Sequence, residues 1–78
     1  AMVTELVAFV VQSLVSEPER LVISSREGER GLFIEIRCAP DDAGRIIGRG
    51  GRTINSIRTL ARAASEGQER VEVQLLNA

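Results

Sequence analysis

Apolar residues follow two periods along this chain, and the switches between them mark its elements. Val3, Leu6, Val7, Val10, Val11, Leu14 and Val15 recur at three- and four-residue steps, the spacing of one side of a helix. This predicts a helix over residues 2–15, with Glu5 and Gln12 opposite and Phe9 off the main stripe. The apolar arc covers about half the wheel, against the roughly 100° that a single core contact requires. A second contact surface, such as a dimer interface, and deep packing of one face both account for the surplus. Ser16-Glu17-Pro18-Glu19 ends the helix, because proline disfavours helical geometry in the residue before it. The period then becomes two. A strand is expected over 20–25 around Leu21, Val22 and Ile23, and a charged turn with two glycines over 26–31. A second strand follows over 32–38, where Leu32, Ile34, Ile36 and Cys38 alternate with Phe33, Glu35 and Arg37. Two strands joined by a short polar turn predict a β-hairpin.

Pro40, Asp41 and Asp42 open a short helix over 40–47. Carboxylates at a helix start accept backbone donors and favour the dipole, so the aspartate pair is expected to cap this helix and not to bind metal. After a glycine cluster the helical period returns over 52–65, with Ile54, Ile57, Leu60, Ala61 and Ala64 on one face. Gly67 is placed to cap its end. The last strand runs over 69–76, with Val71, Val73 and Leu75 alternating against Glu72 and Gln74. The order is α-β-β-α-α-β, an α+β class. The crossover through two helices is long enough to make strands two and three parallel. The expected architecture is a three-stranded mixed sheet with its helices packed on one face, in a single domain over 1–78.

Composition narrows the chemistry. Seventy-eight residues suffice for one domain, and a chain this small is marginal alone and gains from a partner. Ala1, ahead of Met2, reads as a cloning remnant, and neither a signal peptide nor a bilayer-spanning run is expected. Cys38 is the one cysteine, which excludes an internal disulfide, suits a reducing cytoplasm, and is expected to serve as a small buried hydrophobe. Histidine is absent, which removes the usual zinc ligand sets and every histidine-centred triad. No enzyme, metal or cofactor is expected. Net charge is −1, yet residues 44–65 hold five arginines and no acid. The other five arginines face all eleven acids, a balance of −6. A basic footprint on an acidic body steers an anion to one face.

That footprint centres on residues 45–57, Arg-Ile-Ile-Gly-Arg-Gly-Gly-Arg-Thr-Ile-Asn-Ser-Ile. A triphosphate-binding loop needs a lysine, and the chain has none. A dinucleotide fingerprint needs a glycine where Thr53 stands, and a strand where a helix is expected. Two helices joined by a glycine turn also fit a helix-turn-helix that reads duplex DNA from Arg52, Thr53, Asn55 and Ser56, which stands as an alternative. Arg58 and Arg62, one turn apart, read equally as a solvated helix edge.

Ile47-Gly48-Arg49-Gly50-Gly51-Arg52-Thr53-Ile54 resembles the KH-domain signature, aliphatic-Gly-x-x-Gly-x-x-aliphatic, set between two helices. The element order resembles the type II arrangement. In size and extent the chain resembles stand-alone bacterial KH proteins of the KhpA type, with Leu14-Val15-Ser16-Glu17-Pro18-Glu19 and Gly44-Arg45-Ile46-Ile47-Gly48 carrying much of the likeness. The resemblance implies binding of single-stranded RNA, about four nucleotides at a time. It implies contacts from Arg45, Ile47, Gly48, Arg49, Gly50, Gly51, Arg52, Ile54, Asn55 and Arg58. Ile47 and Ile54 would line a groove, with Ile36 and its neighbours on the opposite wall, and Ile47 and Ile54 read equally as ordinary core. Gly50 replaces the polar or cationic residue common at that position, which removes a side chain and adds flexibility. The resemblance further implies an RNA chaperone or post-transcriptional regulator linked to cell elongation and wall homeostasis. Its partners would be a second copy or a larger KH-containing protein of the KhpB (Jag/EloR) type, with no membrane and no small-molecule substrate. A protein-interaction module with little RNA affinity is the class-level alternative.

Overall fold

Strand β2 (Gly31–Arg37) is the centre of a three-stranded sheet in the computed structural model, which describes residues 2–77. It pairs antiparallel with β1 (Val22–Gly28) and parallel with β3 (Val71–Leu75), in the order β1-β2-β3. Helices α1 (Met2–Leu14), α2 (Ala43–Ile47) and α3 (Arg52–Ser65) supply the rest. The α-β-β-α-α-β order and the mixed sheet match the type II arrangement expected from the sequence.

The period-two pattern explains which face of the sheet is covered. Leu32, Ile34 and Ile36 of β2 stand beside Val71 and Val73 of β3, and all five are buried. They share one core with Val3, Val7 and Val11 of α1, Ile46 of α2, and Ile54, Ile57 and Ala61 of α3. The intervening residues Arg26, Glu35, Phe33, Glu72 and Gln74 occupy the other face. There Arg26 sits 5.7 Å from the centre of the Phe33 ring and 3.5 Å from the Glu35 carboxylate.

The helical patterns are recovered with three adjustments. Leu60, expected on the apolar face of α3, is 47% exposed, because Ile54, Ile57, Ala61 and Ser65 define the buried side and Leu60 falls about 100° away from its centre. The expected helix over 40–47 divides into a 3-10 turn, Pro40–Asp42, and the five-residue α2. The left-handed exit from α3 is shared by Glu66 (φ 58°) and Gly67 (φ 74°), so a side chain occupies a conformation that glycine favours.

The hairpin is tighter than its charged composition suggests. Arg26, Glu27 and Gly28 are strand, in register with Phe33, Leu32 and Gly31, leaving only Glu29 and Arg30 as the turn. Arg20 lies in a 3-10 turn, Pro18–Arg20, before the first strand. Gly31 holds φ 124°, and a Cβ there would fall 2.3 Å from the Arg70 carbonyl. That carbonyl accepts the Leu32 N–H at 2.8 Å and begins the parallel pairing. Cys38 is buried as expected; burial, and then the Asp42 charge, push its thiol pKa up. Its backbone is held by Asn77, whose side-chain carbonyl accepts the Cys38 N–H at 2.9 Å and whose amide donates to the Cys38 carbonyl at 2.6 Å.

Candidate nucleic-acid interface

Two anchored helices present the glycine cluster. Ile46 is wholly buried at the end of α2, and Ile54 and Ile57 are buried at the start of α3. Between them the chain reverses through a loop at 48–51. Gly48 (φ 76°, ψ 173°), Gly50 (φ 65°, ψ 18°) and Gly51 (φ 80°, ψ 11°) all have positive φ, the last two in the left-handed helical region. A Cβ at Gly48 would lie 2.1 Å from Thr53 Oγ1 and 2.8 Å from the Thr53 nitrogen, so this position excludes every other residue by space as well as by backbone. A Cβ at Gly50 meets nothing within 4 Å. The glycine there answers a backbone requirement, where the sequence reading saw added flexibility.

The loop leaves donors free. The Gly48 amide donates to the Gly44 carbonyl at 2.8 Å and ends α2; the Gly51 amide donates to the Gly48 carbonyl at 3.2 Å. The Arg52 amide turns back to the Arg49 carbonyl. The Arg49 and Gly50 amides have no acceptor among the described residues, and both residues are exposed. Unpaired amides at a left-handed bend, with Arg49 and Arg52 beside them, suit an anion.

Beyond the loop, α3 and β3 enclose a cleft of about 430 Å³ lined by Asn55, Arg58, Thr59, Arg62, Glu72, Val73 and Gln74. Arg58 spans it: Nε donates to the Val73 carbonyl at 3.1 Å and Nη1 to Asn55 Oδ1 at 3.0 Å. The Arg70 carbonyl and the Leu76 amide both bond to β2, so the even-numbered residues of β3 face that strand. The odd-numbered ones therefore turn their amides and carbonyls to the open edge. Arg58 takes the Val73 carbonyl and leaves the edge amides of Val73 and Leu75 beside the cleft.

Several expected contacts move. Ile54 is 6% exposed and belongs to the core. Ile36 is 0% exposed and cannot form the opposite wall; it lies under the helices on the central strand, and the edge strand β3 takes that place. Ile47 remains available at 40% exposed. Thr59, Arg62, Val73 and Gln74 enter the cleft without having been singled out as site residues. The helical spacing of Asn55, Thr59 and Arg62 carried a signal, whereas nothing in a five-residue strand shows that it will lie at an edge.

Arg45 is tethered. Its Nη1 donates to Asp42 Oδ1 at 2.7 Å, and to Ser16 Oγ and the Asp41 carbonyl at 3.3 Å each. Asp42 does not cap α2 as expected, for its side chain makes no cap bond. It is fully buried and reaches the turn after α1 instead. Oδ1 accepts the Ser16 N–H and hydroxyl at 2.8 Å each, and Oδ2 accepts the Glu17 N–H at 3.0 Å. The Ser16 amide above all, then the Ser16 hydroxyl, the Glu17 amide and Arg45, hold the carboxyl at a pKa of about 2 against the cost of burial. Among the described residues no three His, Cys, Asp or Glu side chains gather to hold a metal ion, and no helix is long and apolar enough to cross a membrane.

Known proteins share this arrangement along the sequence. A family model described as the KH domain of KhpA/KhpB matches residues 4–75. RNA-binding protein KhpA of Borreliella burgdorferi is 39% identical over 74 residues, covering 94% of this chain and 90% of that protein. The KhpA of Caldanaerobacter subterraneus subsp. tengcongensis is 36% identical over 73 residues, covering 92% and 97%. That of Leifsonia xyli subsp. xyli is 38% identical over 68 residues, covering 87% and 88%. The matched span includes both anchoring helices, the glycine loop and the edge strand, and this is not a family of enzymes: the chain belongs to the KhpA/KhpB family of KH domains.

Proposed function

We propose that this chain is a cytoplasmic RNA-binding protein that holds about four nucleotides of single strand along the 48–51 loop and the cleft between α3 and β3. The observation that carries the reading is the loop itself, with two amides unclaimed by the chain, arginines on both sides, and Asn55 of the cleft beside Gly51. The relatives are named as RNA-binding proteins, which agrees with it. In this reading the Arg49 and Gly50 amides, with Arg49, Arg52 and the outer edge of Arg45, meet backbone phosphates. Gly48 and Gly51 shape the turn, and Ile54 holds it to the core. Ile47 offers apolar surface to a base. Asn55, Arg58 and the edge amides of β3 meet base edges. The family resemblance extends the proposal to an RNA chaperone or post-transcriptional regulator. It would work with a KhpB-type partner in cell elongation and wall homeostasis.

A second reading has its own support. Ile47 and Leu60, 40% and 47% exposed, are apolar residues on the outer surfaces of the two helices that carry the loop. As a pairing surface for a second copy or a KhpB-type domain, this region would compete with RNA.

The deciding experiment replaces Arg49 and Gly50 with aspartate, checks folding by circular dichroism, and titrates single-stranded RNA by fluorescence anisotropy. Affinity is expected to fall at least about tenfold, from lost phosphate contacts and added repulsion. Unchanged affinity would sink the loop assignment. Tighter binding of duplex DNA than of single strands would favour the helix-turn-helix alternative. Light scattering over a dilution series tests pairing, and a monomeric mass at every concentration would remove self-association.

A further inference from the structure

Helix α2 has five residues and only one of them, Ile46, wholly buried. A helix this short does not hold itself in place. Ile46 and the partly buried Ala43 hold it to the core on one side only, and contacts on one side of so short a helix leave it free to turn about them. The 48–51 loop begins where α2 ends, so any such rotation moves the amides that face solvent. A second attachment exists at the opposite end. The buried Asp42 carboxylate joins the front of α2 to Ser16 and Glu17, more than twenty residues earlier in the chain, and to Arg45 on α2 itself. Arg45 in turn has one nitrogen fixed on three acceptors while about half of its side chain stays exposed.

We infer that Asp42 is the positioning residue of the glycine loop: by clamping the Ser16-Glu17 turn and Arg45 together, it sets the pose in which 48–51 meets an anion. In its consequence for affinity the inference rests on the RNA-binding reading; in its geometry it does not. The charge of Asp42 gives the test a sign. A carboxylate near a phosphate site repels the ligand, so neutralising it would tighten binding if electrostatics alone acted. A purely structural role would leave the affinity of the folded protein unchanged. Positioning alone predicts a loss.

The variant is Asp42→Asn, which keeps size and shape but replaces an acceptor with a donor. Ser16→Ala, which removes one exposed hydroxyl, is the milder companion. Both are studied as the full chain, well below their melting transitions. Two readouts are taken: anisotropy with a labelled single-stranded RNA of mixed sequence, and the amide NMR resonances of Gly48, Gly50 and Gly51. Asp42→Asn is expected to weaken RNA binding about tenfold and Ser16→Ala a few-fold, with the glycine amides displaced and those of β1 and β2 unmoved. A folded Asp42→Asn that binds as well as the wild type, or better, overturns the inference. If Asp42→Asn does not fold, Ser16→Ala carries the same test at smaller amplitude. If the wild type itself fails to bind RNA, the functional reading falls. The glycine resonances then decide the clamp alone, standing if they move in the variant and failing if they do not.

Discussion

Gly48, Gly50 and Gly51 look interchangeable in the sequence, and the surroundings of each separate them. Gly48 has both a backbone of positive φ and no room for a methyl group beside Thr53. Gly50, at φ 65° and ψ 18°, has a left-handed backbone of the milder kind, and open space. Gly48→Ala is therefore expected to cost more than about 3 kcal/mol, from strain plus overlap, and Gly50→Ala only about 1 kcal/mol. Urea denaturation of the two variants checks the order, and equal losses would contradict it. Asp42 makes a different prediction. Its folded pKa of about 2 lies below that of an unfolded aspartate, so the stability it contributes is complete above about pH 4 to 5. That contribution is lost as pH falls from there through about 2. The melting temperature should drop on acidification by more in the wild type than in Asp42→Asn, and thermal melts between pH 7 and 2 measure the difference. The presence of glycines was legible in the sequence, as was a role for two aspartates at a helix start. The capping rule is local, however, and the bonds of Asp42 reach residues 25 and 26 positions away, which no local pattern reports.

Periodicity placed α1, α3 and the three strands, and their ends were set by pairing. β1 continues to Gly28 because Arg26 and Glu27 lie opposite Phe33 and Leu32 on the central strand, although charge suggests a turn. α3 buries one narrow face, and Ile57, 2% exposed, lies on it. Ile57→Ala should cost about 2–5 kcal/mol, a large share of the roughly 4–12 kcal/mol available to a domain of this size. A measured loss under 1 kcal/mol would show that α3 is held elsewhere. The exit of α3 gives a change in the other direction. Glu66 is the only left-handed side chain among the described residues, and it has no required contact with the core. Glu66→Gly should stabilise by about 0.5–1 kcal/mol through relief of that conformation, visible as a higher urea midpoint.

Across the molecule, three helices cover one face of the sheet and the arginine-rich stretch runs along one side of the cover. All five arginines of 44–65 lie on α2, the glycine loop or α3, while the acids lie on α1, the turn after it, the hairpin, the Pro40–Asp42 turn, the link between α3 and β3, and Glu72 of β3. Net charge alone argues against a polyanion, and segregation restores the case. If about three phosphates are neutralised, the slope of log affinity against log salt is roughly −2, and a fourfold rise in salt should weaken RNA binding on the order of 20-fold. A flat salt profile would point to a partner other than nucleic acid.

Element order, the buried faces of the strands and the glycine loop were readable from the chain because each depends on neighbours three or four residues apart, or two. Left-handed glycines, apolar periods and the arginine run are local properties. The edge position of β3, the exposure of Leu60 and Ile47, the loss of Ile36 and Ile54 to the core, and the bonds of Asp42 all depend on residues far apart in sequence. They follow from which side of a helix meets the sheet and which strand lies outermost, and these are choices that packing makes after local structure has formed.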